Sequence, residues 1–170
     1  MPQKRKKEKR ARKAQLLPRW SESVRSAILE SALDCIITID GAGAVREFNP
    51  AAERTFGFGR EEALGKELAD LIIPPRMRDR HRRGLARYLK TGKGPLLGKR
   101  IEIEALRRDG SEILVELAIT PFQVNNATFF TAYLRDISER RKTEDTLRHH
   151  AELLDQTHDA IMVWDKQSRI

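Results

Sequence analysis

The sequence predicts an α+β fold, because segments of strand and helix character are grouped in separate runs along the chain. Two short β-branched segments joined by a glycine-rich turn come first. Several short helical segments, most of them ended by glycine or proline, follow this pair. Three segments with apolar residues at alternate positions come next, and the last part of the chain is helical. The expected order is therefore two strands, a cluster of short helices, three strands and an exit helix.

The first two strands are predicted to form a hairpin that follows a helix at 21–33. Cys35–Asp40 is rich in β-branched residues, which fit a pleated and half-buried surface. Gly41–Gly43 supplies a turn, and Val45–Phe48 is the expected return strand. The segment therefore predicts a hairpin with a slightly long loop.

The cluster of short helices begins directly after this hairpin. Asn49 is a favourable helix N-cap, and Pro50 stands at the first helical position. Helical segments are expected at 50–56, 60–64, 68–73 and 76–90. One face of the longest segment carries Met77, His81, Leu85 and Tyr88 or Leu89. Its solvated side is expected to carry Arg78, Arg82, Arg83 and Lys90.

The second half of the chain predicts a three-stranded meander and a final helix. Alternating apolar positions place strands at 101–105, 113–119 and 128–134. Tight turns at Asp109-Gly110 and Asn125-Asn126 join them. The helix that follows has a few heptad positions filled by apolar residues, namely Ile137, Leu147, Ala151 and Leu154. Too few heptads are apolar for more than a weakly encoded coiled coil.

The composition fits one domain with flanking segments. The chain has 170 residues, of which 39% are hydrophobic and 34% are charged. Its longest apolar runs are far below the roughly 18–20 residues of a membrane helix, and its N-terminus lacks the pattern of a secretory signal. The single cysteine, Cys35, excludes an internal disulfide and a cysteine-based zinc cage. We expect a cytoplasmic protein.

The basic charge is concentrated in a leader at 1–20. The net charge is +8, and residues 1–14 alone contribute eight basic side chains against the single Glu8. A block of like charges repels itself and is usually disordered, so a solvated leader is the simplest interpretation. The alternative is a nucleic-acid-binding regulator with weak, salt-sensitive affinity for phosphates. No aromatic residue interleaves the basic run, which argues against anchoring of single strands and against a specific nucleic-acid partner.

The chain also contains a long-period repeat. Residues 29–45 align with residues 154–170 at an offset of 125, with Asp34 on Asp159 and Asp40 on Asp165. Solenoid repeats are shorter, at roughly 20–50 residues, so this period indicates whole domains in tandem. The sequence predicts one complete module and, at 157–170, the beginning of a second, incomplete one.

Particular motifs add a family resemblance to this order. Three motifs follow one another within a matching region of about residues 25–140, namely FNPAAERTFG, RRDGSE and RDISER. In these motifs the chain resembles the PAS sensory domain. The resemblance implies a five-stranded antiparallel sheet with short helices over one face, flanked by an N-terminal and a C-terminal helix. It places the core at 34–137 and an exit or linker helix at 138–156.

The resemblance also implies a function in signal transduction. PAS domains of this kind bind a small ligand or cofactor, or mediate dimerisation, and pass a signal through the sheet to the exit helix. Asp136 and Ile137 lie at the strand-to-helix junction that transmits this signal in the family. The alternative is that the carboxylate of Asp136 only caps the exit helix and has no part in signalling. The output domain would be a histidine kinase or a similar regulator, in cis or in a partner protein. A homodimer through the flanking helices is expected.

One stretch resembles a narrower group, the oxygen-sensing haem PAS domains of nitrogen-fixation sensor kinases. In HRRGLARYLKTGKGPLLGKR, His81 stands where that group has its haem-iron ligand, and Arg87 matches a basic residue. At the position of the group's oxygen-contacting arginine this chain has Ile101, with Arg100 next to it. In this respect the chain departs from the pattern of the group. The alternative is that His81 is held at the helix–sheet boundary by its own hydrogen bonds. Haem is therefore one hypothesis for the ligand, and the sequence does not identify the cofactor.

Other chemistries are not supported by the residues. Flavin photochemistry needs a cysteine in a helical motif, whereas Cys35 lies in the first predicted strand. His149-His150 lacks the acidic residue and proline expected after a kinase phosphoacceptor histidine. No ATP-binding glycine loop follows, and no pair of carboxylates has a defensible acid–base spacing. The chain is therefore predicted not to be an enzyme by itself.

Overall fold

A computed structural model describes residues 22–156 and confirms the α+β class. A helix at 22–31, α1, precedes the first strand. The strands are β1 (Cys35–Asp40), β2 (Val45–Phe48), β3 (Arg100–Leu106), β4 (Glu112–Val124) and β5 (Ala127–Asp136). The further helices are α2 (Pro50–Phe56), α3 (Arg60–Ala63), α4 (Leu68–Ile72), α5 (Pro75–Thr91) and α6 (Ser138–Gln156). The predicted leader at 1–20 and the predicted second module at 157–170 lie outside the described residues.

The five strands form one antiparallel sheet with the order β2-β1-β5-β4-β3. Its hairpin and its meander match the sequence prediction. The two are joined by the pairing of β1 with β5, which runs from Cys35 opposite Leu134 to Asp40 opposite Phe129. This long-range pairing places the first and last strands of the domain side by side at the centre of the sheet.

β4 is longer than the predicted segment at 113–119, because it continues through Pro121 to Val124. A proline lacks the N–H that a central strand needs, so the sequence favours an end before it. β3 pairs with β4 only as far as Ala118. The end of β4 that contains Pro121 is therefore not paired with β3, and the missing N–H is tolerated there. At the end of β4, Asn125 and Asn126 both have positive φ, at 48° and 63°, as a two-residue hairpin turn requires.

Asn49 fixes the start of the helical layer against the sheet. Its side chain is buried, and Oδ1 accepts hydrogen bonds from the backbone N–H of Ala52 at 3.0 Å and of Ile36 at 2.8 Å. Nδ2 donates to the carbonyl oxygens of Asp34 at 3.0 Å and Leu29 at 3.3 Å. One amide therefore caps α2, holds β1 and reaches α1.

The core lies between the sheet and helices α2 to α4. Its largest fully buried hydrophobic side chains are Phe48, Phe56, Ile37, Val45 and Val115. α2 ends at Gly57, whose φ of 79° lies in the left-handed region. Glycine adopts this conformation without strain, whereas a residue with a Cβ is strained there. The following helices, α3 and α4, add buried side chains at Ala63, Leu68, Ala69, Leu71 and Ile72.

The described residues divide into two units, one ending at Asp136 and one beginning at Ile137. The second contains α6, whose side chains are almost all exposed as far as Glu152. Charged pairs within the helix stabilise it, including Arg140 with Glu144 and Lys142 with Glu139. No helix among the described residues has both the length and the apolar character needed to span a membrane.

Candidate ligand cavity

Helix α5 covers a cavity instead of a packed core. It has 17 residues, and none of its side chains is buried. The much shorter α2 and α4 bury three and four residues. A helix with an apolar face normally buries that face against its neighbours. On α5 the expected face is present, but Met77, His81, Leu85 and Tyr88 are only half-buried.

The space beneath α5 has a volume of about 650 Å³. That size lies within the range of sites for cofactors and small molecules. The sheet contributes Ile39, Ile119 and Phe130, and the segment after α5 contributes Leu96 and Leu97. Tyr88 on the helix meets Phe130 edge to face, with ring centroids 5.1 Å apart. The walls on the sheet side are therefore apolar, and they favour a ligand with a large apolar body.

His81 lines this cavity from α5. Its Nδ1 is buried and has no hydrogen-bond partner, which does not support the prediction that its own hydrogen bonds hold it in place. Burial lowers the pKa of His81 below its usual value, the Glu67 carboxylate opposes this effect, and the Arg82 guanidinium adds to it. The imidazole is therefore neutral at pH 7, which is the form that ligates a metal ion.

Gly84 lies one helical turn after His81 and also lines the cavity. A Cβ at this position would meet no atom within 4 Å beyond its chain neighbours and its own helix backbone. Glycine in a helix interior costs about 1 kcal/mol relative to alanine. At this position it leaves the cavity wall beside His81 without a side chain.

The other residues of the haem hypothesis lie in different places. Arg87 lines the cavity, whereas Ile101 does not belong to its walls. Ile101 is half-buried on β3 opposite Leu117, and Arg100 is exposed with its guanidinium 3.2 Å from the Glu116 carboxylate. Neither Ile101 nor Arg100 therefore supplies a polar group to the cavity.

Asp136 is the last residue of β5, and its carboxylate accepts a hydrogen bond from Nη2 of Arg107 at 2.8 Å. Beside it, Arg135 makes two hydrogen bonds of 2.8 Å to Asp34, and the guanidinium holds the pKa of Asp34 below its ordinary value. Ile137 is the residue between β5 and α6 in the chain. The end of β5 is thus tied by ion pairs to the start of β1 and to the β3–β4 turn.

Cys35 is buried in β1, and burial raises the pKa of its thiol. A raised pKa keeps the thiol protonated and unreactive, as expected for a small apolar residue in a strand. Within residues 22–156, no group of three or more His, Cys, Asp or Glu side chains is arranged to hold a metal ion.

The sequence prediction did not include several residues of the cavity. Ile119 shares the alternation of Val115 and Leu117, but alternation alone does not indicate a void. The segment Gly94–Leu97 has no periodic signal, yet all four of its residues line the cavity, and Leu97 forms a bridge to Ile119. Only the placement of β4 under this segment brings them together.

The sequence model of the PAS domain matches residues 33–139. The chain belongs to the PAS domain family. Solved PAS domains share its fold, among them the PAS domain of an HTR-like protein from Haloarcula marismortui. That structure is 26% identical with a TM-score of 0.57, covering 75% of this chain and 99% of its own.

Several larger proteins contain a region similar to this PAS domain. An uncharacterized protein of Azorhizobium caulinodans is 42% identical over 120 residues, or 71% of this chain and 16% of that protein. The sensor protein FixL of Bradyrhizobium diazoefficiens is 32% identical over 130 residues, 76% of this chain and 26% of FixL. The oxygen sensor protein DosP of Escherichia coli is 27% identical over 142 residues, 84% of this chain and 18% of DosP. The chain spans about a quarter or less of these relatives.

Proposed function

We propose that this PAS domain is a haem-binding sensory module in which His81 is the iron ligand. The observation that carries the proposal is the position of His81, which lines an apolar cavity of about 650 Å³ with an imidazole that burial keeps neutral. Haem in the cavity would take this imidazole as its iron ligand.

The residues around the cavity fit such a group. The neutral imidazole of His81 provides an electron pair, and burial favours that protonation state. Ile39, Ile119 and Phe130 give the cavity an apolar wall, while Gly84 leaves room beside His81. When bound, haem supplies a redox-active iron that takes diatomic gases.

Similarity to FixL and DosP supports a sensory role, since the one is named a sensor protein and the other an oxygen sensor protein. The departure at Ile101 limits how far the similarity extends. Neither Ile101 nor Arg100 lines the cavity, so neither offers a hydrogen bond to a gas inside it. The proposal is therefore haem binding through His81, with the sensed gas or redox state left to measurement.

The test is a visible absorption spectrum of the protein purified after expression with haem available. Wild type is expected to show an intense Soret band, and His81→Ala is expected to lose it or to shift it as the axial ligand changes. His149→Ala is the matched control, because this histidine is exposed on α6 and does not line the cavity. A wild type without a Soret band, or an unchanged spectrum in His81→Ala, contradicts the proposal.

We further propose that β5 carries the signal out of the cavity. Phe130 stands at the cavity wall, and the same strand ends at Asp136, with Ile137 and α6 next in the chain. Pairing of β5 with both β1 and β4 makes the strand a stiff connection between these points. The output domain is a histidine kinase or a similar regulator, reached in cis or in a partner protein, and the setting is cytoplasmic.

Homodimerisation through α1 or α6 belongs to the same proposal. Apolar side chains on both helices are exposed, with Ile28 at 59% and Leu147 at 64%. A second copy that packs against these residues removes them from water. Light scattering is expected to show a dimer in wild type and a monomer in Leu147→Glu, if α6 forms the contact. A monomeric wild type at high concentration contradicts dimerisation.

A further inference from the structure

One end of the sheet carries large apolar side chains that stay exposed in the part of the chain that the structure describes. The turn between β4 and β5 forms this end, and Val124 just before the turn is 48% exposed. Phe122 is 41% exposed and stacks on Phe129 across the ladder, with ring centroids 5.5 Å apart. Exposed apolar side chains that adjoin one another mark an interaction surface, whereas isolated ones do not.

Helix α5 reaches the same end of the sheet. A Cβ on Gly41, in the β1–β2 turn, would lie 3.5 Å from a methyl carbon of Leu89 and 3.7 Å from the carbonyl oxygen of Thr128. Leu89 therefore lies close to the start of β5, and its side chain is 45% exposed. We refer to Leu89, Phe122 and Val124 together as the apolar tip.

The two segments that form this end of the sheet contain no acidic residue. Between Asp79 and Glu102 every charged side chain is basic, and residues 117–134 contain no charged side chain. Lys90 and Lys93 follow the last apolar residue of α5 and are exposed. Within residues 22–156, neither of their ammonium groups forms an ion pair. The apolar tip is therefore accompanied by positive charge that no carboxylate neutralises.

This combination fits the surface of a membrane that contains anionic lipids. Apolar side chains of interfacial proteins enter the boundary between headgroups and acyl chains, and basic side chains beside them attract anionic headgroups. Contact with the same end of a second copy would bring the lysines together without acids to pair with them. Asp40, which lies opposite Phe129 in the ladder, is already paired with Arg46 at 2.6 Å. Charge therefore favours an anionic lipid surface over a second copy.

We propose that the apolar tip, together with Lys90 and Lys93, docks this domain on the surface of a membrane that contains anionic lipids. The three apolar side chains enter the interface, and the two ammonium groups meet the phosphate groups of the lipids. β5 then leads from the docked end to Asp136 at the opposite end of the strand. This docking goes beyond the proposed function and does not depend on what fills the cavity.

Sedimentation of the full chain with vesicles tests the docking at a salt concentration of about 0.15 M. Vesicles of phosphatidylcholine and phosphatidylglycerol in equal parts supply the anionic surface, and phosphatidylcholine alone supplies the neutral one. Wild type is expected to bind the mixed vesicles at least about tenfold more tightly than the neutral ones. Val124→Asp is expected to weaken binding to the mixed vesicles by about tenfold or more, because an inserted apolar side chain is replaced by a repelled charge.

Two control variants separate the docking surface from the overall charge of the protein. Leu33→Asp makes the same change of charge at a side chain that is 92% exposed and lies outside the apolar tip. It is expected to bind the mixed vesicles within about threefold of wild type, because a charge far from the lipid is screened. Lys90→Ala/Lys93→Ala is expected to weaken binding by about tenfold or more, and the exposed pair Arg54→Ala/Arg148→Ala by about threefold or less. Equal losses within either matched pair, or equal affinity of wild type for both kinds of vesicle, overturn the proposal.

Insertion of the tip needs its own readout, because the basic residues at 1–14 attract any anionic surface. Val124→Cys labelled with the polarity-sensitive dye acrylodan supplies it, since the native Cys35 is buried and burial raises the pKa of its thiol. A blue shift of the emission is expected when mixed vesicles are added, and none is expected for the same label in Leu33→Cys. Binding without a blue shift at position 124 assigns the attachment to the leader and overturns the proposal. A blue shift that grows with protein concentration in the absence of vesicles overturns it as well, because a second copy then covers the tip.

Discussion

Two regions on the same side of the sheet differ in how their helices meet it. Beneath α2, α3 and α4 the contact is closed, with Phe48 and Phe56 fully buried and their rings 6.4 Å apart. Beneath α5 the contact is open, and the longest helix of the layer buries no residue. We refer to these as the closed region and the open region. The sheet is continuous under both, so the difference arises in the helical layer.

The difference shows how one small domain combines a stable fold with a binding site. The closed region contains most of the large buried side chains and the buried hydrogen-bonding residue Asn49. The open region is held at its margin instead, by ion pairs of Arg76, Arg78 and Arg82. Exposed ion pairs contribute little to stability, roughly 0–1 kcal/mol each. Stability is therefore expected to depend on the closed region, and ligand binding on the open one.

The largest expected contrast comes from shortening one side chain in each region. Phe56→Ala in the closed region is expected to lower the free energy of unfolding by about 3–5 kcal/mol, because a filled core becomes a void. Leu85→Ala in the open region is expected to lower it by about 1 kcal/mol, since Leu85 is half-buried. Urea denaturation of the ligand-free protein measures both. Similar losses in the two variants would show that α5 is as tightly packed as α2.

A smaller loss is expected when the closed region loses its buried amide. Asn49→Ala is expected to lower the free energy of unfolding by about 2–3 kcal/mol, because the cap of α2 and the partners of Ile36, Asp34 and Leu29 are lost. Asn49→Ser is the matched control, since its hydroxyl keeps an acceptor for the cap. The serine variant is expected to be more stable than the alanine variant. Equal stability of wild type and Asn49→Ala would sink this account of the amide.

Filling the open region is expected to separate binding from stability. Gly84→Leu places a side chain in open space beside His81 and is expected to weaken haem binding by about tenfold or more. The same change is expected to raise the free energy of unfolding by about 0.5–1 kcal/mol, because leucine is a better helix former. Gly84→Ala should give a similar gain in stability with a smaller loss of affinity. A leucine variant that binds haem like wild type would place the ligand elsewhere.

The smallest expected effect is a pH dependence that belongs to the open region. The unfolded chain protonates His81 near its ordinary pKa of about 6.5, whereas burial lowers the pKa of the folded side chain. Between these two pKa values the unfolded state binds more protons, so stability falls as pH falls. Denaturation between about pH 7.5 and about pH 5 is expected to show a shallower decline in ligand-free His81→Leu than in wild type. An identical decline in both would mean that His81 titrates normally in the folded state.

Much of the closed region can be predicted from the sequence because its signals are local. The cap at Asn49-Pro50, the β-branched segment Cys35–Asp40 and the return strand Val45–Phe48 are each set by neighbouring residues, and the structure confirms them. The turn at Asn125-Asn126 is confirmed for the same reason. Local patterns predict a hairpin and a meander, but they do not show that the two form one sheet. The family resemblance predicts a single five-stranded sheet, and the structure confirms it.

The open region is less predictable because a void has no sequence pattern of its own. The spacing of Met77, His81, Leu85 and Tyr88 predicts one apolar face of a helix, and the same spacing serves a packed core or a cavity. The ion pairs of Arg76 and Arg82 depend on where Glu67, Asp70, Glu104 and Glu112 lie in space. The roles of His81, Arg87, Ile101, Asp136 and Ile137 stay predictions until they are measured.

Hydrogen exchange of the haem-free and haem-loaded protein tests the separation of the two regions most directly. Backbone amides of α5 and of the segment Gly94–Leu97 are expected to exchange more slowly when haem is bound, because the ligand fills the space that they cover. Amides of α2 are expected to exchange at the same rate in both states. Slower exchange centred on α2 to α4, or no change in α5 with haem bound, would contradict the assignment of ligand binding to the open region.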